Sequence, residues 1–171
     1  MSHALRQAAV LAALTVLGGW SHISSAQTVG GGTEVAAKPP APAATVRPLV
    51  QSASDPALKW GQCPPGMPEG CGIAVLQGDP SKPNADIFLR VPGGSAIPPH
   101  AHSSAERMIL VSGELEVKYQ GAPQATLEAT DYAYGPANVP HRANCRSEAA
   151  CILFIAFEGP VDVRPFEGSL D

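Results

Sequence analysis

The stretch GSAIPPHAHSSAERMILVSGELEVKY, residues 94–119, decides the fold. Leu115, Val117 and Tyr119 alternate with Glu114, Glu116 and Lys118, the period of two that turns one face of a strand to a core and the other to water. Just upstream, Arg107 to Val111 forms a short apolar-rich run that stops at the turn signal Ser112-Gly113-Glu114. No helical stripe of apolar residues at i, i+3 and i+4 runs through the stretch. It reads as two strands separated by a turn.

The same texture extends outward. Gly72 to Leu76 precedes GDPSKPN, Asp86 to Val91 precedes PGG, and Ala125 to Leu127 and Asp131 to Tyr134 follow further on. Cys151 to Phe157 is almost wholly apolar and is expected to be buried on both faces. Many short strands at near-regular spacing predict an all-β sandwich or barrel. No internal repeat is evident, so the fold occurs once. A chain of 171 residues with 44% hydrophobic content suits one core of ordinary size.

Residues 1–26 carry the marks of an export signal. Arg6 is the positive n-region, Ala8 to Leu17 is apolar apart from Thr15, and Ser24-Ser25-Ala26 offers small residues before a cut at Gln27. The apolar stretch is shorter than the roughly 18 residues of a membrane span. Without residues 1–26, ten Lys and Arg remain against fifteen Asp and Glu, a net charge of −5. An exported acidic domain, periplasmic or secreted, with no membrane span after cleavage and no nucleic-acid partner, is the expectation. Residues 27–56, rich in Gly, Ala and Pro, read as a linker, and residues 57–171 as the domain.

Cys63, Cys71, Cys145 and Cys151 form an even set in an oxidising compartment. Three connectivities are open. Cys63–Cys71 and Cys145–Cys151 are preferred, because each pair flanks a short loop, CPPGMPEGC or CRSEAAC. Neither pair has the CxxC spacing usual in thiolate zinc sites.

His100, His102 and His141 are the only histidines after residue 26. Residues at i and i+2 on a strand share a face about 7 Å apart, and Glu106 has the same parity. Several nitrogen and oxygen donors converging from two strands are what a metal ion needs.

The pattern Gly94-x5-His100-x-His102-x3-Glu106-x6-Gly113 resembles the first signature motif of the cupin superfamily, with every fixed position present. The second motif is met in part. Asp131, Pro136 and His141 fall at its spacing, whereas Thr130 and Asn138 stand where glycines are usual and Cys145 where an asparagine is usual. The stretch from Trp60 to Gly94 is also similar to the front half of small cupin-domain proteins.

The resemblance spans roughly Ala57 to Pro165. It implies a single cupin barrel (a double-stranded β-helix, or jelly roll), His100, His102, Glu106 and His141 as ligands of one divalent transition metal, and a homodimer. Cu, Zn, Mn, Fe or Ni all suit such a donor set. The leading functional expectation is a metal-dependent, dioxygenase-like oxidoreductase acting on a small oxygenated molecule, with Glu106 as ligand or general base. The rival is a non-catalytic exported protein that binds a metal or small ligand. On parity Met108 should line the pocket beside Glu106. Phe88 and Arg90, on the face opposite Ile87, Leu89 and Val91, are further pocket candidates, as are Tyr132 and Tyr134.

Overall fold

Alternation of apolar and polar side chains lays out eleven strands in the computed structural model, which describes residues 47–171. The expected signal peptide, 1–26, and linker positions 27–46 lie outside the described residues. The strands are β1 (Gly61–Gln62), β2 (Gly72–Gln77), β3 (Ala85–Val91), β4 (Ala96–Ala101), β5 (Glu106–Ser112) and β6 (Leu115–Tyr119). There follow β7 (Ala125–Leu127), β8 (Tyr132–Gly135), β9 (His141–Cys145), β10 (Cys151–Phe157) and β11 (Arg164–Pro165). No helix occurs among the described residues, and none is long and apolar enough to cross a membrane.

Two antiparallel sheets result, in the orders β1-β2-β3-β10-β5-β8 and β11-β4-β9-β6-β7. Together they form a single all-β sandwich, closed around one interior. β10 lies between β3 and β5, with Leu153 opposite Leu89 and Leu110, and Ile155 opposite Ile87 and Met108. These inward side chains, with Leu115, Val117 and Phe157, make up the core. Each such side chain contributes about 1.5–3 kcal/mol by leaving water. The apolar run of β10 is nevertheless not buried on both faces. Cys151, Leu153, Ile155 and Phe157 are buried, while Ile152, Phe154 and Ala156 are only half-buried on the outer side of the sheet.

The structure pairs Cys63 with Cys71 and Cys145 with Cys151. Both loops are short, so each bridge contributes about 2–3 kcal/mol through lost unfolded-state freedom. The first bridge fixes a loop whose Pro64 and Met67 reach the interior. The second ties the end of β9 to the start of β10 with both sulfurs fully buried.

Candidate metal centre

Four side chains from three strands and one connecting segment meet at one end of the interior. His100 sits near the end of β4, His102 just beyond it, Glu106 opens β5 and His141 opens β9. Pairing of β4 with β9 is irregular between Ile97 and His100, where Pro98 and Pro99 have no N–H to give to a ladder. Regular pairing resumes with His100 directly opposite His141. All four polar side chains are buried, Glu106 to within 2% of full enclosure.

The three rings are packed together, with centroids 4.8 Å apart for His100 and His102, 4.3 Å for His100 and His141, and 5.2 Å for His102 and His141. One nitrogen from each lies within 4.8 Å of the others. Nitrogens sharing an ion at about 2.1 Å lie at most about 4.2 Å apart, so a shift of roughly half an ångström would bring them onto one ion.

Each ring is held from behind by a backbone carbonyl. His100 Nδ1 faces Pro98 O at 2.8 Å, His141 Nδ1 faces Val139 O at 3.2 Å, and His102 Nδ1 is bonded to Asp162 O. A ring nitrogen against a carbonyl must carry the hydrogen, leaving the Nε2 lone pair free on the other side. Such backing is the usual outer support of a metal-bound histidine.

Two of the Nε2 atoms meet Glu106, His141 Nε2 at 3.2 Å from Oε1 and His102 Nε2 at 3.5 Å from Oε2. Oε1 is fully buried yet has no hydrogen bond of good geometry. Three lone pairs and a carboxylate facing one another call for a positive charge among them, so these residues fit a divalent cation.

The titration behaviour agrees. Burial, then the neighbouring His141, lowers His100 to about 4, so it is a neutral imidazole ready to bind. Burial acts to raise Glu106, but the His141 contact and the three imidazoles outweigh it and hold the carboxyl below its ordinary range. His141 moves the other way, since contact with Glu106 overcomes burial and raises it. The two groups thus favour each other's charged forms.

Gly135 of β8 stands opposite Glu106. A Cβ there would lie 2.7 Å from Glu106 Oε1, so only glycine lets the strand close over the carboxylate. The positions where the superfamily's glycines are replaced keep the glycine-like backbone, Thr130 at φ 83° and Asn138 at φ 64°. Asn138 donates its backbone N–H to His102 O at 2.8 Å, and its side-chain oxygen accepts from Arg164.

Met108 lines the cavity below the histidines. Phe88, Arg90, Tyr132 and Tyr134 do not. Phe88 packs edge-on against Phe154, 6.4 Å between centroids, and Arg90 lies 4.5 Å over the Trp60 ring. Ile87 and Leu89 line the cavity instead. The physical reason is that a closed barrel has a single interior, so core-facing and pocket-facing residues share one parity. On β8, inward Ala133 faces Met108, which turns Tyr132 and Tyr134 outwards, 58% and 48% exposed.

Several contributors were not read from the sequence. Tyr119 pairs with His141 across β6 and β9, and their ring centroids lie 5.1 Å apart. Its hydroxyl is buried without a partner, and burial together with Glu106 raises its pKa. Its alternation with Leu115 and Val117 was the available signal. Phe157 meets His102 edge-on at 5.5 Å. Val161 and Val163 reach the cavity from the segment before β11.

Residues 87–157 match the family model described as the cupin domain. No curated protein matches the chain. Among solved structures, the chain is similar to DMSP lyase DddQ from Ruegeria pomeroyi DSS-3, at 21% identity and a TM-score of 0.56, covering 66% of this chain and 64% of that one. A match described under the DMSP lyases RdDddP and RnDddQII has 20% identity and a TM-score of 0.56, covering 64% of this chain. This chain spans only 63% of that protein's length. An RmlC-like cupin from Shewanella frigidimarina NCIMB 400 matches at 22% identity and a TM-score of 0.50, covering 61% of this chain and 86% of that one. At such identities the likeness is one of fold.

Proposed function

We propose that this chain, which carries a cupin domain, is an exported metal-dependent enzyme of dioxygenase-like type acting on a small oxygenated molecule. The observation that carries the reading is the set of three clustered imidazoles, each backed through Nδ1, with the Nε2 atoms of His102 and His141 against the buried Glu106 carboxylate. His100, His102, Glu106 and His141 would hold one divalent transition metal, Cu, Zn, Mn, Fe or Ni. Bound there, such an ion supplies Lewis acidity and a template for an oxygen donor.

The protein's own residues do the rest. The backbone carbonyls of Pro98, Val139 and Asp162 fix the ring orientations. Glu106 would be a ligand or, unbound, a carboxylate base within reach of a bound molecule. The apolar wall excludes bulk water from the reacting groups. A homodimer in the periplasm or outside the cell, with a small-molecule substrate, is part of the same reading.

The small cavity, about 50 Å³, favours a second reading, a non-catalytic metal-binding protein. An ion with no exchangeable coordination position would decide for it. The direct test is elemental analysis of protein from its native compartment beside His141→Ala. Near-stoichiometric metal in the parent and about a tenth or less in the variant is expected, since a ligand is lost; equal metal contents would sink the assignment. Oxygen uptake with enolic and phenolic compounds then separates enzyme from binder.

A further inference from the structure

The cavity next to the histidines has an unusual lining for a site meant to hold a polar metabolite. Besides His100, His102, Glu106 and His141, every side chain that lines it is apolar. Among the described residues no lysine, arginine, serine, threonine, asparagine, glutamine or tyrosine reaches it. The nearby cations are engaged elsewhere. Arg90 lies on Trp60, Arg107 pairs with Glu158, and Arg164 is taken by Asp162 and Asn138.

The cavity therefore has one polar pole and no second one. Its volume of about 50 Å³ admits roughly three to five water-sized groups, given about 10–15 Å³ for each. A molecule seated with its donor atom at the imidazole pole would lay the remainder of its body against Leu89, Leu153, Ile155 and Val163. A charge on that body would be buried without a partner, which is among the costliest arrangements in a protein interior.

We infer that the site selects ligands of a few heavy atoms with a single donor head and an uncharged, apolar body, and rejects those carrying a second charged group. The inference rests on the proposed metal site, because it is the ion that takes the donor head. It narrows the small oxygenated molecule to a monofunctional one. Short enols or alcohols fit, whereas amino acids and extended dicarboxylates do not.

The test uses the full-length mature chain with Co²⁺ in the site, followed by the sulfur-to-cobalt charge-transfer absorption on titration with three thiols. Propanethiol and cysteamine have the same number of heavy atoms and differ in the charge of the tail, and mercaptoacetate adds an anionic tail. Propanethiol is expected to bind at least about tenfold more tightly than either charged thiol, the minimum effect of an unpaired buried charge. Comparable binding of cysteamine or mercaptoacetate overturns the selectivity and leaves the metal reading standing. Cobalt uptake with no thiol band from any of the three overturns the inference together with the exchangeable position that catalysis needs, and failure to bind cobalt removes the metal reading itself.

A variant supplies the converse. Val163 lies on the segment before β11 and is only half-buried, so Val163→Lys is tolerable there. It should improve mercaptoacetate binding by about tenfold by giving the carboxylate a partner. No improvement in a variant that folds and binds cobalt counts against the inference.

Discussion

Residues 94–113 and residues 130–145 deliver candidate ligands to the same point by different means. The first region has every position of its motif, and its glycines lie in the left-handed region, Gly94 at φ 70° and Gly113 at φ 92°. The second lacks two glycines and an asparagine, yet His141 stands directly opposite His100. Each replacement has a different physical status. Asn138 takes the left-handed conformation at modest cost and uses its side chain to hold Arg164. Cys145 is fully buried in its bridge to Cys151. Thr130 takes φ 83° and donates its backbone N–H to Leu110 O at 2.7 Å, a bond a glycine would make equally well, while its side chain forms no hydrogen bond to the protein. The comparison teaches that the motif is a set of backbone conformations and approaches, which several residue types can meet at different costs.

The largest expected effect breaks the compensation at Cys145. The double variant Cys145→Ser/Cys151→Ser should lose about 2–4 kcal/mol in urea unfolding, and more than Cys63→Ser/Cys71→Ser. Only the former puts two hydroxyls into a fully buried site, since Cys63 is half-buried. Equal losses would mean that burial adds nothing to the bridge.

Next comes the contact between the two regions. Gly135→Ala pushes on the Glu106 carboxylate, and metal affinity should fall about 10- to 100-fold by competition with a chelator. An unchanged affinity would show that Glu106 contributes little to holding the ion.

Acidity probes the same pair, since Glu106 is lowered and His141 raised. In the metal-free protein the stabilisation from His141 is complete below the unfolded histidine value and is lost as pH rises through its higher folded value. That from Glu106 is present above the unfolded carboxyl value and is lost as pH falls through its lower folded value. A metal displaces the His141 proton, so affinity should rise with pH through the raised His141 value. Thermal melts of metal-free and loaded protein across pH should therefore diverge on the alkaline side, and parallel curves would count against the pairing.

The smallest effect sharpens the comparison. Thr130→Gly should stabilise the protein by about 1 kcal/mol, because the strain relieved exceeds the flexibility given to the unfolded chain. A loss of stability would mean that Thr130 makes a contribution its contacts do not reveal.

Much of this was legible in the sequence, and the misses share a cause. Spacing and alternation are local signals, and they located β5, β6, the histidines, Glu106 and both bridges. Phe88 and Arg90 were misplaced because the core and the pocket were treated as opposite faces, where closure of the sheets leaves one interior for both. Tyr132 and Tyr134 went astray because their direction is fixed by the pairing of β8 with β5, which the short segment does not encode. Tyr119 had the right parity, but its neighbour His141 lies on β9, more than twenty residues away.

Asp162 is the hub of the segment before β11. Its carbonyl holds His102, its carboxylate accepts the N–H of Ser103 at 2.8 Å, and it pairs with Arg164 at 3.5 Å. The support of a ligand at position 102 is thus supplied sixty residues later. All four candidate ligands precede residue 162 in the chain, so that segment contributes no donor, only the carbonyl behind His102. With that segment displaced, an ion would be held by a site with one ring unsupported. A substitution that shifts this segment would thus loosen the hold on an ion without removing a single donor.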